Sequence, residues 1–197
     1  QYRPRRGAFV RVPSPREMAE VYEARSALEG YSAFQAANKV SGKGLEELGH
    51  LNRAMGQIVK QCQNLPCSDG NQDLRRKFLQ IDMEFHLKIL SISGNERIVA
   101  MVQECNLLAF FVLWELDYEY RFFKQPYDQH VLILEAFRGQ DPSAAMKAMT
   151  DHIDASKNAF LDAYADRRPQ ENDDRAATDR SARSTPPRLK EVSFGVL

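Results

Sequence analysis

Residues 73–95 read DLRRKFLQIDMEFHLKILSISGN. Leu74, Phe78, Ile81, Phe85, Ile89 and Ile92 recur at intervals of three and four. That spacing lines one face of a helix over 73–92. Leu79, Met83 and Leu90 add apolar surface beside the stripe, so this helix reads as central to a core. The SGN at 93–95 is a helix stop followed by a restart. Yet the same helix carries Asp82 and His86 one turn apart. Taking a carboxylate and an imidazole out of water costs several kcal/mol (about 2–7 for a neutral polar group) unless something satisfies them.

Working outward, the pattern stays helical. Ser14, Pro15 and Glu17 form S-x-x-E with proline at the first helical position, a strong start signal. Met18, Val21, Leu28 and Phe34 then suit a helix over 15–39, closed by SGKG. Leu45, Leu48, Leu51, Met55 and Val59 predict a second helix over 44–63. After the central helix, a long fourth one over 96–122 turns Ile98, Met101, Val102, Cys105, Leu108, Val112 and Leu116 inward, with Pro126 as terminator. A fifth covers 127–138 through Val131, Leu134 and Phe137; Gly139 ends it, and Asp141-Pro142 caps a sixth over 142–165. Short connectors between such helices imply antiparallel packing. The fold class is therefore all-α, an antiparallel bundle of six helices, with no convincing strand after residue 12. From Arg167 the chain is polar, charged and nearly free of large apolar residues, which reads as a disordered tail over 167–197.

The 197 residues favour one domain with extensions, and 43% apolar content is enough for a core. A formal charge of zero does not advertise nucleic-acid binding. The longest apolar run, inside NLLAFFVLWEL at 106–116, is too short for a bilayer. The start, QYRPRRGAFV, has no apolar signal-peptide core, which leaves the cytoplasm as the expected compartment. Three cysteines without a secretion signal point to reduced thiols. Cys62 and Cys67 lack the second Cys/His pair of a zinc knuckle.

The chain has four histidines. His50, beside Gly49 and Asn52, falls on the polar side of its helix. Asp82 and His86 share a face and can reach one point. His130 lies on the face of Leu134 and Phe137, and His152 on that of Ala145, Ala148 and Met149, so each points inward. Three imidazoles and a carboxylate in a bundle core are a metal site's inventory. The set suits Zn²⁺ or Ni²⁺, and also Fe²⁺ or Mn²⁺. Against this, an inward histidine is more often a hydrogen-bonded core residue, and Asp82–His86 alone is an ordinary one-turn pair. Arg25 has the same two readings: an ion pair with Glu29, or a guanidinium that forks onto a ligand carboxylate. Trp114, Tyr118 and Tyr120 could line a pocket, although aromatics on a long helix usually belong to a core or an interface. No phosphate-binding glycine loop, H-E-x-x-H or G-x-S-x-G occurs.

Three stretches together carry a resemblance: VYEARSALEGYSAFQAA, IDMEFHLKILSISGNERIVAMV and QHVLILEAFRGQDPSAAMKAMTDHI. Over about residues 15–160 they resemble the effector-binding FCD domain of the FadR subgroup of GntR-type bacterial transcription regulators. The resemblance implies a bundle enclosing a cavity, over 14–166, with a divalent metal held by Asp82, His86, His130 and His152. It implies a small organic acid as effector, with Arg25 as a ligand-binding residue, and a homodimer, for which the fourth helix is the expected interface. It assigns no catalytic residue and no enzyme activity. Residues 1–13 resemble only the closing wing strand of the winged helix-turn-helix that precedes such domains, with Arg6-Gly7 as the turn. Operator DNA would be reached only through that missing part. A metal-dependent enzyme, which would need a general base beside the metal, and a metal-free structural bundle are the alternatives; Glu84 lies off the Asp82 face and does not suit as that base.

Overall fold

The computed structural model describes residues 2–3, 7–8, 13–63, 72–115 and 121–178, with side chains over 13–63, 73–105 and 123–163. The chain begins with β1 (Tyr2–Arg3) and β2 (Gly7–Ala8), paired antiparallel with Tyr2 opposite Ala8. Residues 9–12, the rest of the expected wing strand, lie outside the described residues. Six helices follow: α1 (Pro15–Ala37), α2 (Gly42–Gln63), α3 (Gln72–Ser93), α4 (Glu96–Glu115), α5 (Arg121–Arg138) and α6 (Pro142–Thr178). The all-α bundle is what the periodicity requires.

The start and stop signals act as their chemistry dictates. Glu17 N donates to Ser14 Oγ at 3.3 Å, and Ser14 N donates to Glu17 Oε2 at 2.8 Å, closing the capping box. Gly94 has φ +80°, the left-handed geometry that ends α3 without a Cβ clash. Asn95 Oδ1 then accepts from the backbone of Arg97 and Ile98 and starts α4. Ala144 N donates to Asp141 Oδ1 at 3.0 Å to cap α6.

Three expectations need correction. Pro126 does not separate two helices; it sits inside α5, which begins at Arg121. A proline near a helix start removes one backbone donor, and packing of the rest of the helix outweighs that loss. On α1 the buried face is not Val21, Leu28 and Phe34, which are half-exposed, but Met18, Tyr22, Arg25, Glu29, Ser32, Ala33 and Ala36. Met101 on α4 is 53% exposed rather than inward. The helical backbone of α6 runs on through 167 to Thr178, although that stretch includes Pro169, Asn172, Asp173 and Asp174. Residues 179–197, the end of α4 as predicted from sequence, and the side chains of Leu108, Val112 and Trp114 lie outside the described set, as do Leu116, Tyr118 and Tyr120. Contacts divide the chain into Gln1–Tyr164 and Ala165–Leu197.

Within the first unit, contacts fix the helix directions. Glu47 pairs with Lys88, and Gly44 lies against Ile92, so α2 and α3 run antiparallel. Phe78 meets Phe123 edge-on with centroids 5.2 Å apart, and Phe85 packs on His130 at 4.5 Å, so α3 and α5 run parallel. Hence α2 and α5 are antiparallel. They approach closely where Gly56 lies against the Tyr127 ring; a Cβ there would come within 2.9 Å of it. The core is built from Met18, Tyr22, Leu48, Met55, Phe85, Ile89, Ile133, Phe137, Met149, Ile153 and Phe160, all at most 2% exposed. Each contributes about 1.5–3 kcal/mol by leaving water. α3 touches α1, α2 and α4 as well as α5, the central position its apolar stripe predicts.

Candidate metal centre

The histidines on α3, α5 and α6 meet in this core. His86, His130 and His152 are 1%, 0% and 2% exposed. His86 Nε2 lies 3.2 Å from His152 Nε2 and 3.3 Å from His130 Nε2. Asp82 Oδ1 is 3.4 Å from His130 Nε2, and its Oδ2 is 3.9 Å from His86 Nε2. One donor atom from each of the four residues falls within 4.8 Å of every other. Asp82 is the open side of the group, with its side chain 22% exposed. His50, by contrast, is exposed on α2, beside a surface hollow that also borders Glu84. Glu84 faces outward and accepts from Gln80 at 3.1 Å.

The far side of each ring explains this convergence. His86 Nδ1 lies 2.6 Å from Glu29 Oε2, a carboxylate from α1 that is 1% exposed. Burial pushes the Glu29 carboxyl up, but Arg25 and His86 together pull it down to about 2. An ionised carboxylate only accepts, so His86 donates from Nδ1; in the neutral ring this leaves the lone pair on Nε2, which faces the other two histidines. His152 Nδ1 stands 3.2 Å from Gln129 Oε1, which sets the same tautomer. Two imidazole lone pairs 3.2 Å apart repel unless a cation lies between them. A tetrahedral ion with metal–nitrogen bonds of about 2.0–2.1 Å needs donor atoms about 3.3–3.4 Å apart. The 3.2, 3.3 and 3.4 Å separations match that edge, and the pairing of Asp82 Oδ2 with His86 Nε2 at 3.9 Å is longer; the three imidazoles and the carboxylate fit a divalent metal in donor type and buried setting.

The electrostatics agree. Burial, followed by the neighbouring His152 and His86, holds His130 well below the usual imidazole range. Burial, His86 and Arg25 do the same to His152, against a small opposing effect of Glu29. Neutral imidazoles are the ligating form. Burial raises the Asp82 carboxyl, while His86 and Arg25 counteract it.

Arg25, 7% exposed, donates from Nε to Glu29 Oε1 at 2.7 Å and lies over the Tyr22 ring at 5.5 Å. The ion-pair reading of Arg25 therefore holds in the structure. The charge of the same guanidinium is felt at Asp82 and His152 of the candidate metal centre and at Cys105. Two residues escaped the sequence reading: Glu29, read only as the partner of Arg25, and Gln129. The signal for Glu29 was its register with Met18, Tyr22, Ser32 and Ala36, which puts a charge on the inward face of α1. Nothing in the sequence tied it to a histidine 57 positions away. Cys62 and Cys105 form no disulfide.

Comparison with known proteins places this geometry in a family. Residues 20–155 match the FCD domain. Over 140 residues the chain is 24% identical to the Nta operon transcriptional regulator of Aminobacter aminovorans, covering 71% of this chain and 60% of that protein. The chain thus spans less than two thirds of the length of this curated relative. Among solved structures, E. coli McbR/YncC aligns with a TM-score of 0.70 at 15% identity, over 82% of this chain and 76% of that one. Streptococcus agalactiae GntR aligns with a TM-score of 0.58 at 21% identity, over 81% and 74%. At those identities the two structures speak for the fold alone, and they share it with the bundle described above. The family match covers the greater part of the chain, and with it all four donor residues: this chain belongs to the FCD domain family of GntR-type transcription regulators.

Proposed function

We propose that this domain senses a small organic acid through a divalent metal, Zn²⁺ or Ni²⁺, held by Asp82, His86, His130 and His152. The observation that carries the reading is the meeting of three buried Nε2 atoms, at least two of them on rings whose Nδ1 faces an oxygen acceptor. When bound, such an ion offers a Lewis-acidic position to a ligand oxygen. The chain's own residues do the rest. Asp82 supplies charge at the open side, and the imidazoles on three helices tie α3, α5 and α6 to one point. Arg25 offers a second, cationic anchor beside it. Its Nε is held by Glu29, and its Nη groups make no hydrogen bond to a described residue, which leaves them available for a carboxylate.

In this proposal the acid is an effector, and the domain works in a homodimer whose partner passes the change to a DNA-binding segment. Half-exposed Met101 supports α4 as part of that interface. Coupling cannot exceed the difference in effector affinity between the two bundle geometries. The test is metal analysis of protein purified without chelator, followed by a thermal-shift screen of organic acids with and without added metal. Stoichiometric metal that is lost in His86→Ala, and acids that stabilise only the metal-loaded form, are the expected results. Equal metal content in wild type and His86→Ala would sink the reading.

A further inference from the structure

Two of the three candidate ligands have an acceptor behind the ring: Glu29 for His86 and Gln129 for His152. His130 does not. Its Nδ1 is buried and makes no hydrogen bond. If Nε2 is to ligate as a lone pair, the neutral ring must carry its proton on Nδ1. A buried donor without an acceptor costs about 1–3 kcal/mol. Among the described residues, one other buried side-chain atom is also unsatisfied, and it is an acceptor: Asn52 Oδ1, on a side chain 7% exposed.

The helix directions put these two residues on the same stretch of the α2–α5 contact. α2 and α5 are antiparallel and touch at Gly56 and Tyr127. One turn back along α2 from Gly56 is Asn52. One turn forward along α5 from Tyr127 is His130. Residues three or four apart share a helix face, so Asn52 and His130 occupy the same level of the α2–α5 contact. Both α2 and α5 use these faces for the core, as Leu48, Met55 and Leu134 are buried beside them.

We propose that Asn52 Oδ1, which makes no direct bond to His130 Nδ1 in this structure, is its acceptor across one water, and so the positioning residue that sets the third imidazole for metal. This rests on the metal reading above. Outer-shell partners of this kind typically change metal affinity by about 10–100-fold when removed. Asn52→Leu and Asn52→Ala, which remove the acceptor, should therefore weaken Zn²⁺ binding by about 10–100-fold in chelator competition. Asn52→Asp, which keeps an acceptor, should stay near wild type. The visible spectrum of the Co²⁺-loaded protein should shift in the first two variants and not in the third.

A merely structural asparagine would behave differently. Removing it would lower the melting temperature equally with and without metal. Here Asn52→Leu should lower the melting temperature of the metal-loaded protein by more than that of the metal-free protein, so that the rise on adding Zn²⁺ shrinks. Wild-type Zn²⁺ affinity in both Asn52→Leu and Asn52→Ala overturns the assignment and leaves the metal site standing. Equal loss of stability with and without metal also overturns it. A wild type that binds Zn²⁺ no better than His86→Ala removes the metal site, and this proposal with it.

Discussion

At the scale of single residues, the site is an arrangement of buried groups that need one another. Glu29 bridges Arg25 and His86, each at hydrogen-bond distance. Glu29→Gln leaves the guanidinium buried without its counter-charge. Breaking a buried pair in this way costs about 3–5 kcal/mol, which urea denaturation of the metal-free protein should register. Metal affinity should also fall by about 10–100-fold as His86 loses its charged acceptor. The buried imidazoles make a second prediction. His130 and His152 are depressed, chiefly by burial. Above a pH of about 6.5 they are neutral whether folded or not. Below it the unfolded chain takes up protons first, so stability falls as pH drops toward the folded values. Glu29, depressed to about 2 by Arg25 and His86 against burial, adds a loss that begins lower, as pH falls through the carboxylate range. Asp82 is raised by burial and titrates the other way, offsetting part of that loss. Thermal melts in chelator should therefore show a lower melting temperature at pH 5.5 than at pH 7.5. A flat profile would mean that these histidines are not held neutral.

At the scale of helices, close approach is bought at glycine. A Cβ on Gly30 of α1 would come within 2.6 Å of the Thr150 methyl on α6. The Thr150 hydroxyl donates to the Lys147 carbonyl at 2.9 Å, which holds that rotamer. Gly30→Ala should therefore destabilise by about 1–3 kcal/mol through overpacking, against about 1 kcal/mol gained in helix propensity. In a Thr150→Ser background the methyl is absent, and the same change should become neutral or stabilising. The sign reversal, read from denaturation midpoints of the four proteins, isolates the contact. Helix ends were the most legible feature at this scale, since capping is local chemistry: Ser14 with Glu17, Gly94 with Asn95, and Asp141 each stand where their side chains or backbone can act. The inward face of α1 was the least legible. Arg25 and Glu29 occupy it, and a reading that looks for apolar residues rotates the helix toward Val21 and Leu28.

At the scale of the whole molecule, a metal shared by three helices would make folding and binding one equilibrium. A ligand that binds only the folded form stabilises by about 2.7 kcal/mol at 100 times its dissociation constant. Added Zn²⁺ should therefore raise the melting temperature of wild type and leave His152→Ala nearly unchanged. An organic acid should add a further rise only in the metal-loaded wild type; a rise of equal size in His152→Ala would separate acid binding from the metal. The sequence by itself determined the helices, their caps and the inward placement of Asp82, His86, His130 and His152, because periods of three and four and capping chemistry act within a few residues. Only the tertiary structure decided which groups stand behind those rings. Glu29 reaches His86 from α1, and Gln129 reaches His152 from α5. The reason is geometric: a period states which way a side chain points along its own helix, whereas the partner it meets depends on how separate helices cross and rotate against each other.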